Sequence, residues 1–314
     1  MNVVLIGSVV FSREMLEVLI AHKSRTMSVA AVLGVAREHS RGISDYADLA
    51  PLAESACIAY HPFHRINAES VLRLFRKTKP DYTFVLGLSQ LVSGELLQLA
   101  GATIGTHPSL LPDGRGRAAI PWSILLGWKK SGVSFFQITE AIDDGPIYEQ
   151  EAWDITADDD AESLYAKMCG AGRAAFERLL GKIDSGHLIG RPQGTSRIGP
   201  LPRRRPADGR VDSSMLAGDV ERLIRATTRP YPGAFAAVGP GFPSAKLVLW
   251  KSGGLVETAP AQPGTIIDSG PSGLIIACMS GAVRVTEVEF EGTNVRLRPG
   301  DEFSRVFKKG QRLL

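Results

Sequence analysis

Short apolar runs alternate with amphipathic segments along the first part of this chain. Asn2–Ile6 and Val29–Val35 are runs of β-branched and aliphatic residues, which predict buried strands. Phe11–His22, between them, spaces its apolar residues at helical intervals. The order strand, helix, strand predicts a β-α-β opening.

The same alternation continues to residue 183. Three further helices are predicted at Asp45–Cys57, Ala68–Lys77 and Ala161–Ile183, and three further strands at Tyr82–Leu86, Ala102–Gly105 and Val133–Thr139. Strands that alternate with helices predict a parallel-rich sheet with helices on both faces. The expected fold class of this part is therefore α/β.

The pattern changes after residue 184, where Gly, Pro and Arg become frequent and hydrophobic periodicity is lost. We place a linker at 191–212, between a first domain at 1–190 and a second at 213–314. Met215–Ala226 predicts a helix. Four short strand-like runs follow it, at 245–252, 264–268, 273–279 and 282–290, with turns between them. This spacing predicts a small barrel or sandwich.

Composition and charge exclude several classes of protein. Hydrophobic residues make up 44% of the chain, which is typical of a globular protein. The 36 basic and 33 acidic residues nearly cancel, so nucleic acid is not an expected partner. No apolar run reaches the roughly 18 residues of a membrane helix, and the start has the character of a first strand, so we expect a cytoplasmic protein without membrane contact.

His107 is the first candidate for chemistry, since it comes just after the predicted strand at 102–105. Ligands of open α/β sheets bind beyond the carboxyl ends of the strands. Pro108 and Pro112 restrict the backbone around His107, so the ring is expected to be held in position. The alternative is that His107 only caps the strand or packs beneath the loop.

Asp143 is the second candidate, because it also follows a predicted strand. Its carboxylate is expected to orient an imidazole or to accept a proton from it. The alternative is that Asp143, Asp144 and Gly145 form an ordinary Asp-Gly turn.

These motifs resemble those of a known family. HPSLLPDGRG at 107–116 is similar to the His-x-Ser-Leu-Leu-Pro-x-x-Arg-Gly signature of the folate-dependent formyltransferases, and DDG at 143–145 to the Asp-x-Gly that follows it. The likeness also includes GSVVFS, SDYADLAPLA, GLSQLVS, RRRPADGRVD, RPYPGAF and PGTIID, and so covers nearly the whole chain. It implies a Rossmann-like domain followed by a small OB-like β-barrel, as in methionyl-tRNA formyltransferase.

The resemblance implies transfer of a formyl group from 10-formyltetrahydrofolate to a primary amine through a tetrahedral intermediate, without a metal. His107 would bind the developing oxyanion or relay protons, and Asp143 would orient it and help to deprotonate the amine. Gly105 stands where the family usually has Asn, whose amide helps to bind the oxyanion; a backbone N–H, a water or Thr106 could substitute. Two readings stay open, an active variant and a non-catalytic folate-binding paralogue.

Two groups of binding residues are expected, of which the resemblance implies the folate segment at 86–91. The folate would contact Leu86, Gly87, Leu88, Ser89, Gln90, Leu91, Ser109, Leu110, Leu111, Pro112, Arg115 and Asp144. The acceptor would contact Gly7, Ser8, Thr106 and Pro108, with its phosphates near the start of the first helix. Arg115 and Arg117 could pair with a phosphate or with the glutamate tail of the folate, or could simply be solvated. The alternative for 86–91 is an ordinary strand-to-helix loop.

The acceptor is expected to be a nucleotide-linked amino sugar. Methionyl-tRNA formyltransferases carry a basic insertion after the second strand, whereas Arg37 and Arg41 are offset here by Glu38, Asp45 and Asp48. Methionyl-tRNA and other small amines, such as hydroxyornithine, remain alternatives. A hydrolase of the same folate would share only the central motif. In a non-catalytic binder, Arg203–Arg205 would form a docking patch. A homodimer is possible.

Overall fold

The computed structural model describes residues 1–239, 242–258, 261–293 and 295–313, which divide into two compact units. The first unit comprises 1–119, 129–154 and 165–202, and the second comprises 120–128, 155–164 and 203–314. The elements up to residue 184 are β1 (Asn2–Ile6), α1 (Val10–Ala21), β2 (Ser28–Val35), α2 (Ala50–Ser55), β3 (Tyr60–Phe63), α3 (Glu69–Thr78), β4 (Tyr82–Val85), α4 (Gly94–Leu99), β5 (Ala102–His107), α5 (Ala119–Leu125), β6 (Lys130–Gln137), β7 (Ile147–Asp154) and α6 (Ala161–Asp184).

The first unit is built on a seven-stranded sheet of order β3-β2-β1-β4-β5-β6-β7. The first five strands in this order, β3, β2, β1, β4 and β5, are parallel to one another. Strand β6 pairs antiparallel with both β5 and β7. The predicted α/β class with a parallel-rich sheet is confirmed. Strands β3 and β7 were not predicted, because YHPF is short and contains a proline while IYEQEAWD is largely polar.

Apolar side chains from strands and helices fill the layers of this unit. Phe176 of α6 packs against Phe84 of β4 and Phe135 of β6, with ring centroids 5.0 and 5.5 Å away. Helix α2 is much shorter than the predicted Asp45–Cys57. Because Pro51 lacks an N–H and fits only in a first helical turn, the helix starts at Ala50.

The second unit contains a six-stranded antiparallel sheet, as expected for the C-terminal domain. Its order is β10-β11-β12-β9-β8, and β13 pairs with β12. Buried side chains of α7, including Val220 and Ile224, share one apolar cluster with Leu249, Val283 and Phe303. The elements are α7 (Ala217–Thr227), β8 (Ala234–Ala237), β9 (Lys246–Val256), β10 (Ile266–Gly270), β11 (Gly273–Ala277), β12 (Ala282–Phe290), β13 (Arg296–Leu297) and α8 (Asp301–Val306).

The segment predicted as a linker begins as part of the first unit. Residues 191–202, which we call the strap, belong to that unit although they form no helix or regular strand. Arg191 exchanges backbone hydrogen bonds with Ile147 of β7, and Leu201 N–H donates to the carbonyl of Arg115 at 2.7 Å. The strap therefore runs along the loop that carries the HPSLLP motif.

Candidate active site

His107 is the last residue of β5 rather than the second residue after the strand, because β5 extends past the predicted end at Gly105. Its side chain is buried, with 5% of the residue exposed. Ring atom Nε2 lies 2.7 Å from the carbonyl oxygen of Gly114, seven residues along the same loop. Since a carbonyl can only accept, Nε2 carries the hydrogen and donates it.

Asp143 lies in the loop between β6 and β7, within contact distance of His107. Its Oδ2 is 3.4 Å from Nδ1 of His107 and accepts a 3.0 Å hydrogen bond from the backbone N–H of Gly116. The Asp143 side chain is 20% exposed, and in the part of the chain that the structure describes no hydrogen bond reaches Oδ1. One oxygen is thus held by the protein while the other is available to a ligand.

The electrostatics of this pair follow from burial. Burial lowers the pKa of His107 below its usual value, although Asp143 and the Gly114 carbonyl act in the opposite direction. A neutral imidazole that donates from Nε2 keeps a lone pair on Nδ1. That lone pair faces Oδ2 of Asp143, so the two groups together can take up one proton.

The loop from His107 to Arg117 is held by a serine that the sequence analysis did not single out. Ser134 of β6 donates to the carbonyl of Ser109 at 2.6 Å and accepts from Leu111 N–H and from Gln150 Nε2 at 3.0 and 2.7 Å. Ser109 is fully buried, and its hydroxyl donates to the carbonyl of Asp113. Ser109 therefore stabilises the loop, and the structure does not support its predicted contact with folate.

Leu111 also packs inward, whereas Leu110 is partly exposed. Leu111 is 3% exposed and lies in an apolar cluster with Phe136 and Ile147. Leu110 covers Gly132 so closely that a Cβ there would lie 2.4 Å from its Cδ2. The burial of Leu111 argues against its predicted contact with folate, and the contact of Leu110 stays a prediction. Pro112, which follows a cis peptide bond, is partly exposed in the same loop.

Ile138 fills the place of the asparagine that the resemblance led us to expect at residue 105. A Cβ on Gly105 would lie 2.8 Å from Cγ1 and 2.9 Å from Cδ1 of Ile138. Thr106 does not replace the amide, because successive strand residues point to opposite faces of the sheet and Thr106 is therefore directed away from the His107 face. The structure argues against the suggested role of Thr106 as an oxyanion ligand.

The predicted folate segment at 86–91 follows β4, and its residues have different environments. Leu86 is buried, and its carbonyl accepts from Ser12. Gln90 is an anchor: its Oε1 accepts from Ile66 N–H and its Nε2 donates to the His64 carbonyl. Within the described residues the N–H groups of Gly87 and Leu88 make no hydrogen bond. Ser89 and Leu91 are exposed.

The predicted phosphate site at the start of α1 is already occupied by the protein. The N–H groups of Val10 and Phe11 donate to the Asp45 carbonyl and to the Tyr165 hydroxyl, at 2.9 and 3.2 Å. Ser8 is buried, and its hydroxyl links the Gly7 carbonyl to the Val35 N–H. Since the N–H groups of Gly7 and Ser8 also donate within the protein, to the Leu33 carbonyl and to the Ser12 hydroxyl, the geometry argues against Gly7 and Ser8 as phosphate ligands.

The other predicted site residues lie in the two loops that carry His107 and Asp143. Arg115 Nε and Nη2 donate to Oε1 of Gln193 at 3.1 and 2.7 Å, and Arg117 is exposed. Asp144 is exposed and accepts from the Thr139 hydroxyl at 2.7 Å. Pro108, next to His107, is partly exposed.

Two negative findings concern the described residues only. No group of three or more His, Cys, Asp or Glu side chains there could hold a metal ion. None of the helices in the same ranges is both long and apolar enough to span a membrane.

In the predicted docking patch at 203–205, Arg204 contacts another part of the second unit. Its guanidinium carbon lies over the Trp122 ring, 5.1 Å from the ring centroid.

Residues 1–180 match the family model described as formyl transferase, and residues 204–296 match the model of the formyl transferase C-terminal domain. The chain belongs to the formyl transferase family. Because both models match in chain order, the chain carries the two family domains that the resemblance implied.

Several solved structures share this fold. HypX from Aquifex aeolicus, in complex with tetrahydrofolic acid, has 17% identity and a TM-score of 0.65 over 99% of this chain, which spans 48% of the HypX chain. The N-formyltransferase from Helicobacter canadensis, in complex with folinic acid and dTDP-3-aminofucose, has 16% identity and a TM-score of 0.58, covering 90% of this chain and 97% of that one. Phosphoribosylglycinamide formyltransferase from Anaplasma phagocytophilum, at 21% identity and TM-score 0.54, covers 63% of this chain and 96% of its own.

Proposed function

We propose that this formyltransferase moves the formyl group of 10-formyltetrahydrofolate to the primary amine of a nucleotide-linked amino sugar. The H. canadensis enzyme, whose structure holds a folate and a nucleotide-linked amino sugar, is similar to this chain over nearly its whole length. Phosphoribosylglycinamide formyltransferase from A. phagocytophilum is similar to only 63% of it. The family match, together with this likeness across both units, supports an amino-sugar acceptor.

The observation that carries the proposal is the pairing of His107 with Asp143. Oδ1 of Asp143 is free to accept a proton from the attacking amine, while Oδ2 is fixed by Gly116 N–H. A proton taken up at Oδ1 neutralises the negative charge of the carboxylate, whose Oδ2 lies 3.4 Å from Nδ1 of His107. General base catalysis of this kind contributes about 10²- to 10⁴-fold to a rate.

The segment at 86–91 fits the flat, polar ring system of a folate. The unpaired N–H groups of Gly87 and Leu88 offer donors, and Leu88 and Ile138 offer apolar contact beside them. A few placed polar groups in an apolar setting are typical of such sites. When bound there, the folate supplies a formyl carbon, and the residues of the chain orient the amine and receive its proton.

Turnover assays with a panel of amines test this function. Wild-type protein is incubated with 10-formyltetrahydrofolate and either nucleotide-linked amino sugars, small free amines or charged methionyl-tRNA, and formylated product is measured by mass spectrometry. We expect product only with amino sugars. Asp143→Asn and His107→Asn should lower kcat by about 10²-fold or more and leave folate binding intact, whereas Gln98→Ala, an exposed residue of α4, should match wild type. Turnover of tRNA alone would contradict the acceptor.

A non-catalytic folate binder is the second candidate, and one observation favours it. Ile138 occupies the space of the usual asparagine beside Gly105, so no amide is available there for an oxyanion. Folate binding by the wild type without turnover of any amine in the panel would support this reading and overturn the proposed transfer.

A further inference from the structure

Gln193 of the strap contacts the candidate site through every polar atom of its side chain. Nε2 donates to the carbonyls of Asp143 and Gly145 at 2.9 and 2.8 Å. Oε1 accepts two hydrogen bonds from Arg115, from Nε and Nη2. A carboxamide has two N–H donors and two acceptor lone pairs, so its capacity is fully used between two loops that both belong to the first unit.

The turn that presents Asp143 needs such support. Asp143 has a φ of +52°, in the left-handed region that costs an ordinary residue about 1 kcal/mol or more. Gly145 passes so close to β6 that a Cβ on it would lie 1.9 Å from the Gln137 carbonyl oxygen. A backbone in this conformation persists when surrounding contacts fix it, and Gln193 holds the carbonyls on both sides of Asp144.

We propose that Gln193 is a positioning residue for formyl transfer, which holds the Asp143 carboxylate against His107 and ties that turn to Arg115. The expected effect of Gln193 on the rate rests on the proposed function. The expected effect of Gln193 on the position of Asp143 relative to His107 does not depend on that function. The Gln193 side chain binds the main-chain carbonyl of Asp143. The N–H of Gly116, in the other loop, binds Oδ2 of the Asp143 side chain.

The strap is itself anchored independently of Gln193. Arg197 pairs with Asp113, with Nη2 2.9 Å from Oδ2, and its backbone N–H donates to Oδ1 at 2.7 Å. Leu201 exchanges backbone hydrogen bonds with Arg115 and Arg117. Loss of the Gln193 side chain should therefore leave the strap in place and release only the Asp143 turn and the Arg115 side chain.

Three variants separate these effects. Gln193→Met keeps the side-chain length and removes all four hydrogen bonds. Gln193→Glu keeps oxygen acceptors for Arg115 but sets a carboxylate against the carbonyls of Asp143 and Gly145, so it should not rescue the turn. Gln98→Ala on α4 is the matched control, because the side chain of that glutamine is exposed and makes no hydrogen bond in the described part of the chain.

The first readout is a ¹⁵N NMR titration of the His107 ring in substrate-free protein. Because Asp143 raises the pKa of His107, displacement of Asp143 should move the His107 titration to lower pH in Gln193→Met, which adds no charge, and not in the control. Unchanged titration in Gln193→Met, with only a lower melting temperature, would overturn the positioning role. This readout needs no amine and so stands even if the proposed function fails.

The second readout is turnover with the amine accepted by the wild type. We expect kcat to fall about 10- to 100-fold in both Gln193 variants, as small displacements of catalytic groups do, with the KM for folate changed less than about threefold. Equal losses in kcat with an unshifted His107 titration would also contradict the proposal, since the effect would then not pass through Asp143.

Discussion

At the scale of single residues, the side chain of Ile138 shapes the site beside His107 and Asp143, because it fills the space next to Gly105. Gly105 removes an amide that the motif would supply, and Ile138 then closes the space against it. Ile138 also packs between the cluster of Leu111 and the cluster of Leu88. Residues 105 and 138 therefore depend on each other, and a change at one should be tolerated only with a change at the other.

Gly105→Asn by itself should destabilise the protein by about 1 to 3 kcal/mol, because the new Cβ overlaps Cγ1 of Ile138 and overpacked sites cost about that much. Ile138→Ala should relieve the overlap. We expect the double variant to be more stable than the sum of the two single losses by about 0.5 kcal/mol or more, as contacting residues show. Urea unfolding of the four proteins measures this, and strictly additive losses would contradict it.

At the scale of elements, the rigidity of the HPSLLP loop comes from its neighbours as well as from its prolines. Pro108 and Pro112 justified the prediction of a fixed loop. In the structure, Ser134 of β6 and Gln150 of β7 also bind the loop backbone, through Ser109 and Leu111. The loop therefore packs on the antiparallel pair formed by β6, which was predicted, and β7, which was not.

Ser134→Ala should lower the free energy of unfolding by at least about 2 kcal/mol, because it leaves several buried polar groups without their partner. Ser123→Ala is the control: this serine is equally buried, but among the described residues its hydroxyl bonds only to the Ile120 carbonyl within α5, so its loss should cost under about 1 kcal/mol. Chemical denaturation compares the two, and equal costs would contradict the role given to Ser134.

At the scale of the whole molecule, the chain passes between its two units more than once. Residues 120–128 and 155–164 belong to the second unit although they lie within the first 190 residues. Leu125 packs against the apolar cluster of the second unit. A single cut near the predicted linker therefore does not separate two complete units.

A fragment of residues 1–202 should lack a native, cooperative unfolding transition, because residues 120–128 and 155–164 lose their partners in 203–314. Thermal unfolding followed by circular dichroism, against full-length protein, measures this. A fragment that unfolds as sharply as the full chain, at the same temperature, would show that the first 202 residues fold independently.

The sequence by itself determined what local periodicity and short motifs encode. Alternating strand and helix patterns gave the α/β class, since a strand or helix records its buried face in its own residues. HPSLLP and DDG, through their resemblance to a family, brought attention to His107 and Asp143. Both signals lie within short windows of the chain.

Only the tertiary structure decided the contacts between residues far apart in the sequence. Tyr165 and Asp45 fill the donors at the start of α1 that were expected to bind phosphate, and Gln193 reaches Asp143 across 50 residues. Neither contact leaves a local pattern, because hydrogen bonds of irregular segments follow no period. The motifs therefore indicate the family of the chain. The packing of the folded chain determines which groups hold Asp143, and it fills the expected phosphate site with groups of the protein itself.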